Sequence, residues 1–129
     1  MGKSQKMETV KDFSRLFDDV RCILDAEYQQ HIWVNQEDPK IVDSYDDTTM
    51  YFLTNADAVI KGAEAGEIEI TSQQLTLLKE LYERVEDYDC LEERPDRDAD
   101  IVQDPRWLEI VAYAKEVYPI LSGESSSKG

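Results

Sequence analysis

The sequence predicts an all-α fold: a small four-helix-bundle-like single domain with acidic loops. Three observations carry that expectation. Apolar residues recur at spacings of three and four in four separate windows, whereas only Glu67-Ile68-Glu69-Ile70 alternates with period two. Helix-start chemistry stands where those windows open, as Thr71 followed by Gln74 and as Asp104 followed by Pro105. The chain has 129 residues, 41% of them hydrophobic, and its two tryptophans, seven tyrosines and three phenylalanines are enough to fill one core despite 33% charge. A flexible start over residues 1–8, one helical domain over 9–122 and a disordered tail over 123–129 (GESSSKG) follow from composition.

In chain order, Thr9 with Asp12 three residues on is expected to cap the first helix. Val10, Phe13, Leu16, Phe17, Val20, Ile23, Leu24 and Tyr28 form its stripe, which extends to Ile32 or Trp33 and predicts a helix of more than twenty residues. Residues 34–47 (VNQEDPKIVDSYDD) read as a loop broken at Asp38-Pro39 and pinned to the body by Ile41, Val42 and Tyr45. Asp46 or Asp47 then caps a second helix whose heptad-like positions are Met50, Leu53, Ala56 or Asp57, Ile60 and Ala63 or Glu64, with a break near Asn55. Gly62 and Gly66 bracket its end, and Ile68 and Ile70 are expected in an extended connector without a strand partner.

The third helix is the clearest. Leu75, Leu78, Leu81, Tyr82, Val85 and Tyr88 lie along one face, Lys79, Glu80, Glu83, Arg84, Glu86 and Asp87 on the other, and Thr71 with Gln74 forms a capping box. Arg94-Pro95 forbids continuation much past Glu93. The fourth helix opens at Asp104-Pro105, carries Trp107, Leu108, Val111, Ala114 or Lys115, Tyr118 and Leu121, and is expected to end or kink near Tyr118, ahead of Pro119.

Charge bounds the partner. Lys and Arg number 14 against 29 Asp and Glu, a net −15, which excludes binding to a phosphate backbone and disfavours anionic membranes. No stretch approaches the about 20 apolar residues of a membrane span. The residues after Met1 include neither an apolar signal core nor Ser or Thr at position six for myristoylation, so a soluble, cytoplasmic protein is expected. Cys22 and Cys90 have no ligand spacing and read as free thiols of a reducing compartment.

The residues capable of chemistry do not assemble into a motif. His31 is the one histidine; Cys22 lies nine positions earlier, about 13 Å away along a straight helix, too far to form a nucleophile–base pair. Glu27 and His31 share a helical face, but no second ligand pair makes a transition-metal site. Asp96, Asp98 and Asp100 have the opening spacing of a calcium loop, yet Ile101 stands where Gly is needed and Trp107 where Glu is, so chance spacing in an acid-rich loop accounts for them. No phosphate loop, nucleophile elbow or zinc-protease motif occurs, and no catalytic residue, metal or cofactor is expected.

What remains is the acidic run. Residues 83–104 hold ten carboxylates against three arginines, a local charge of −7. Tyrosines sit among the acids, and the expected partner-binding residues are Tyr45, Asp46, Asp47, Glu83, Glu86, Asp87, Tyr88, Asp89, Glu92, Glu93, Asp96, Asp98 and Asp100. Tyr offers rigid contact area and carboxylates steer a basic partner. The chain is similar, in being small, helical and very acidic, to helical immunity proteins and nucleic-acid mimics, though no residue motif carries over. The function this implies is non-enzymatic: an acidic inhibitor, immunity protein or nucleic-acid mimic that occludes a basic surface of a toxin, an effector enzyme or a nucleic-acid-binding protein. Two other classes compete with it. One is a helical subunit or adaptor that binds through an apolar patch near Trp33 or Trp107, its acidity serving solubility; the other is an enzyme working with carboxylates alone.

Overall fold

The computed structural model describes residues 8–9 and 13–123, the first two by their backbone alone. Expectations for residues 1–7, for the cap at Asp12 and for residues 124–129 lie outside the described residues. The fold is all-α, with almost no strand. The elements are β1 (Glu8–Thr9), α1 (Ser14–Leu24), α2 (Ala26–Tyr28) continued by a π-helical turn (Gln29–Val34), α3 (Tyr45–Glu64), β2 (Ile68–Glu69), α4 (Ser72–Asp89), α5 (Asp98–Ile101) and α6 (Pro105–Leu121). The main packings join α1 to α3 and α6, and α4 to α3 and α6.

The expected long first helix is divided. It begins at Ser14, after Phe13, and stops at Asp25, whose backbone turns extended while its carboxylate accepts the N–H of Tyr28 and starts α2. The break leaves carbonyls at the end of α1 without helical donors. Gln29 supplies them: its Nε2 donates to the carbonyls of Cys22 and Ile23, both at 2.8 Å, and its Oε1 accepts from Nε1 of Trp107 at 2.9 Å. This glutamine is only 1% exposed, so these three bonds satisfy a polar group that burial would otherwise penalise.

α3 departs from expectation in its cap, its face and its continuity. Ser44, not Asp46 or Asp47, is the cap, with its Oγ accepting the N–H of Asp47. The buried face runs through Tyr45, Thr48, Thr49, Phe52, Ala56, Val59 and Ile60, while Met50 is 52% exposed. Two threonines are admissible there because each hydroxyl is satisfied, Thr48 donating to Asp43 and Thr49 to the carbonyl of Tyr45. No break occurs at Asn55, whose amide donates to Asp19 of α1 at 2.8 Å and ties the two helices together.

Past α3 the chain reverses through a Schellman turn. Gly66 takes φ +79°, its N–H returns to Ala63 and that of Glu67 to Gly62. β2 is not the unpartnered connector that was expected; it forms a two-residue parallel ladder with β1, Glu8 opposite Ile68 and Thr9 opposite Glu69. Glu8, expected in the flexible start, and Thr9, expected as a helix cap, are therefore strand.

α4 matches its expectation in start and face. Both halves of the Thr71–Gln74 capping box form at 3.0 Å, and Leu78, Leu81, Val85 and Tyr88 are buried. α5 is a single turn inside the segment expected to be loop, held by the fully buried Ile101. Asp104 and Pro105 open α6 as expected, but the helix passes through Pro119 to Leu121 and buries Ile110 and Val117, leaving Leu108 41% exposed. So close to the end, Pro119 removes one intrahelical donor, and Ser122 still closes the last turn on the carbonyl of Tyr118.

At the centre, Trp33, Tyr45, Tyr88 and Trp107 pack ring against ring, with centroids 5.3 to 6.1 Å apart. Edge-to-face and tilted contacts of this kind add to the burial of large apolar area. Trp33 and Trp107, expected near a docking patch under the adaptor reading, are core residues instead.

A candidate interaction surface at the acidic end

The N-terminus of α3, the C-terminal turns of α4, the segment after it and α5 meet at one end of the molecule. Tyr45 links them. Its backbone N–H, an orphan donor of the first turn of α3, goes to Oδ2 of Asp98 at 3.1 Å, and its hydroxyl donates to Asp89 at 2.9 Å. The guanidinium of Arg94 lies 4.8 Å from the centre of the same ring, and its Nε donates to the carbonyl of Asp89. Tyr88 is tied down similarly, its hydroxyl donating to Asp104, which also accepts from Arg106.

The expected site residues thus divide by direction. Tyr45 and Tyr88 are core residues, 0% and 3% exposed, and offer no ring surface to a partner. Asp89 and Asp98 turn inward to cap and anchor. Asp46, Glu83, Glu86, Asp87, Glu92, Glu93, Asp96 and Asp100 are exposed, with Asp47 half-buried beside them. The three arginines of the run are already engaged: Arg84 with Glu80 at 3.0 Å, Arg94 with Asp89, and Arg97 with Asp100 at 3.8 Å. Among the described residues, no ion pair forms at Glu83, Glu86, Asp87, Glu92, Glu93 or Asp96.

The electrostatics follow this geometry. Burial, with Asp46 and Asp43 nearby, pushes the Asp98 carboxyl above its ordinary range despite the bond from Tyr45. The Arg106 side chain holds Asp104 down to about 2. Burial, reinforced by Asp89 and Asp104 respectively, raises the phenols of Tyr45 and Tyr88, so both remain protonated donors at neutral pH.

Elsewhere, Nδ1 of His31 pairs with Glu37 at 2.8 Å, and that hydrogen bond raises the imidazole. Burial raises the Cys22 thiol to about 11, which keeps it protonated and poorly nucleophilic; Cys90 is exposed. Asp96, Asp98 and Asp100 do not converge, since Asp98 serves Tyr45 and Asp100 faces Arg97. Among the described residues no three His, Cys, Asp or Glu side chains are grouped to hold a metal ion, and no helix is long and apolar enough to cross a membrane.

Two surface features had no signal in periodicity. Residues 35–44 join the π-helical turn to the N-terminus of α3 as a loop in which Ile41 is 42% and Val42 88% exposed, contrary to their expected role as pins. A cleft between α1 and α3, about 500 Å³, is lined by Arg15, Asp18, Asp19, Tyr51, Thr54 and Asn55. No protein-family model, curated protein or solved structure matches this chain.

Proposed function

We propose that the chain is a non-enzymatic acidic binding protein whose α4–α5 end covers a basic surface of a partner protein and occludes it. One observation carries the reading: Glu83, Glu86, Asp87, Glu92, Glu93 and Asp96 stand at the surface and form no ion pair among the described residues, on a chain of net −15. Their field reaches beyond contact range and accelerates encounter with a cationic surface, a steering that salt screens over about 8 Å at physiological ionic strength. Such a surface belongs to a toxin, an effector enzyme or a nucleic-acid-binding protein. Nucleic acid itself is repelled.

Two triple variants test this. Glu83→Lys/Glu86→Lys/Asp87→Lys and Glu92→Lys/Glu93→Lys/Asp96→Lys leave the anchoring Asp89 and Asp98 in place. Against a basic partner recovered by affinity purification at low salt, each should slow association by about tenfold or more and flatten its salt dependence. Unchanged rates across salt concentrations in both folded variants would leave the run a solvated face. The adaptor reading would then gain, and it has its own support in Met50 and Tyr51, adjacent on α3 and 52% and 54% exposed; association through them would be insensitive to salt.

A further inference from the structure

Residues 35–44 are built to hold an unusual presentation. The chain enters through Gln36 at φ 54°, a left-handed conformation that a non-glycine side chain rarely adopts and that surrounding structure must enforce. It leaves through Asp43, whose carboxylate gathers four donors: the Tyr28 hydroxyl at 2.7 Å, the Thr48 hydroxyl at 3.0 Å, the backbone N–H of Ser44 at 2.9 Å and Nε1 of Trp33 at 3.4 Å. Between these fixed ends the loop turns at Pro39 and Lys40, where Asp38 accepts the Lys40 N–H and the carbonyl of Asp38 accepts that of Ile41. So constrained a loop could bury its apolar residues, yet it does the reverse. Val42 is 88% exposed, the highest value among the exposed large hydrophobics, and Ile41 stands beside it over a hollow of about 280 Å³ that Ile32 and Pro39 help to line.

We infer that Ile41 and Val42 are the apolar anchor of the acidic docking end, and that the partner it fits is a protein presenting apolar side chains bordered by lysine and arginine. This rests on the reading of the acidic end given above and adds an apolar centre to it, beside the N-terminus of α3. The chemistry of the rim argues for it. Asp38 and Asp43 line the hollow, the exposed Glu37 precedes it and the exposed Asp46 follows in the first turn of α3, against Lys40 and against His31, which pairs with Glu37. Because internal donors already fill Asp43, the floor of the hollow has little to offer a cationic head group, and what remains for a guest is apolar wall. A rigid aliphatic pair inside a polar rim is the anatomy of an interface centre, where burying a few apolar side chains sets the affinity and the rim sets the register. Preorganisation adds to this, since a loop already held in place loses little freedom on binding.

The test uses two defined probes with the full chain: an amphipathic helical peptide of leucine and lysine, and an oligolysine of equal charge. The wild-type chain should bind the leucine–lysine peptide more tightly, with methyl resonances of Ile41 and Val42 shifting on its addition but not on addition of oligolysine. Ile41→Ser/Val42→Ser should weaken the leucine–lysine peptide by about tenfold while leaving oligolysine unchanged. Val42→Ser alone, at a position of almost no internal contact, should give part of that loss at an unaltered melting temperature. Equal affinity of the two peptides for the wild type, or unchanged leucine–lysine binding in the double variant, would overturn the proposal. So would a double variant whose only change is lost self-association, which would make a second copy of this chain the occupant. Glu86→Lys/Asp87→Lys/Glu93→Lys separates the two readings: if it weakens neither peptide, the electrostatic reading of the acidic run fails, while the anchor stands or falls on the serine variants.

Discussion

At the scale of single residues, the most consequential side chain is one that the sequence does not advertise. Gln29 sits in the amphipathic window of the expected first helix, where its period gives it no special role; only the break at Asp25 creates the stray carbonyls that it serves. The need and its remedy arise together in three dimensions, with Trp107, a residue 78 positions away, supplying the third partner. Gln29→Leu keeps the volume and removes all three bonds. It should cost about 1–3 kcal/mol for each buried group left unpaired, read as a lower midpoint in urea unfolding. In Trp107→Phe, which has no indole donor, the same substitution should cost less, because one of the groups it orphans is already gone. Equal losses in the two backgrounds would mean that the Gln29–Trp107 bond contributes nothing. Asp104 stands at the other extreme of legibility, since an aspartate directly before proline reads as a cap in sequence and is one here.

Among the elements, legibility tracks how local the determinants are. α4 is readable because its cap closes within three residues and its face repeats without interruption. α3 is less so, because its inward face includes Thr48 and Thr49, acceptable in a core only through hydroxyl bonds to Asp43 and to Tyr45, and because its first residue, Tyr45, lies in a stretch with the composition of a loop. The β1–β2 ladder joins segments about sixty residues apart, and neither two-residue strand is long enough to leave a periodic trace. α4 therefore offers the cleanest comparison between local and tertiary contributions to one helix. Thr71→Ala removes one arm of the capping box and should cost about 1 kcal/mol. Leu78→Ala or Leu81→Ala, each emptying a fully buried site, should cost about 2–5 kcal/mol. A cap variant that destabilises more than either leucine variant in denaturant melts would reverse that order and place the weight on helix initiation.

For the whole molecule, the surplus of acid makes a prediction whose sign needs the individual carboxyls. Burial raises Asp19, with Asp18 and Asp43 adding to the rise and the Asn55 amide opposing it, and burial likewise raises Asp98. A carboxyl raised in the folded state takes up its proton there before the unfolded chain does, so each destabilises the fold at neutral pH and that penalty lifts as pH falls through its folded value. Asp104 works the other way. Held down to about 2 by Arg106, it contributes stability that is complete above the ordinary carboxylate value and is lost between that value and about 2. The His31–Glu37 pair, raised on the imidazole and lowered on the carboxyl, is exposed and adds little through solvent screening. General repulsion among 29 acids against 14 bases acts in the same direction as Asp19 and Asp98. The melting temperature should accordingly rise as pH falls from neutral to about 5, rise also with added sodium chloride at neutral pH, and fall again below about 4 as Asp104 and the other paired carboxylates protonate. Asp19→Asn retains an acceptor for Asn55, so it should raise the melting temperature at neutral pH and flatten part of the acid-side gain. A melting temperature that drops with both mild acid and salt would show native ion pairs outweighing the repulsion, and an Asp19→Asn variant less stable than the parent at neutral pH would show that the charged form of Asp19 is the one the α1–α3 contact requires.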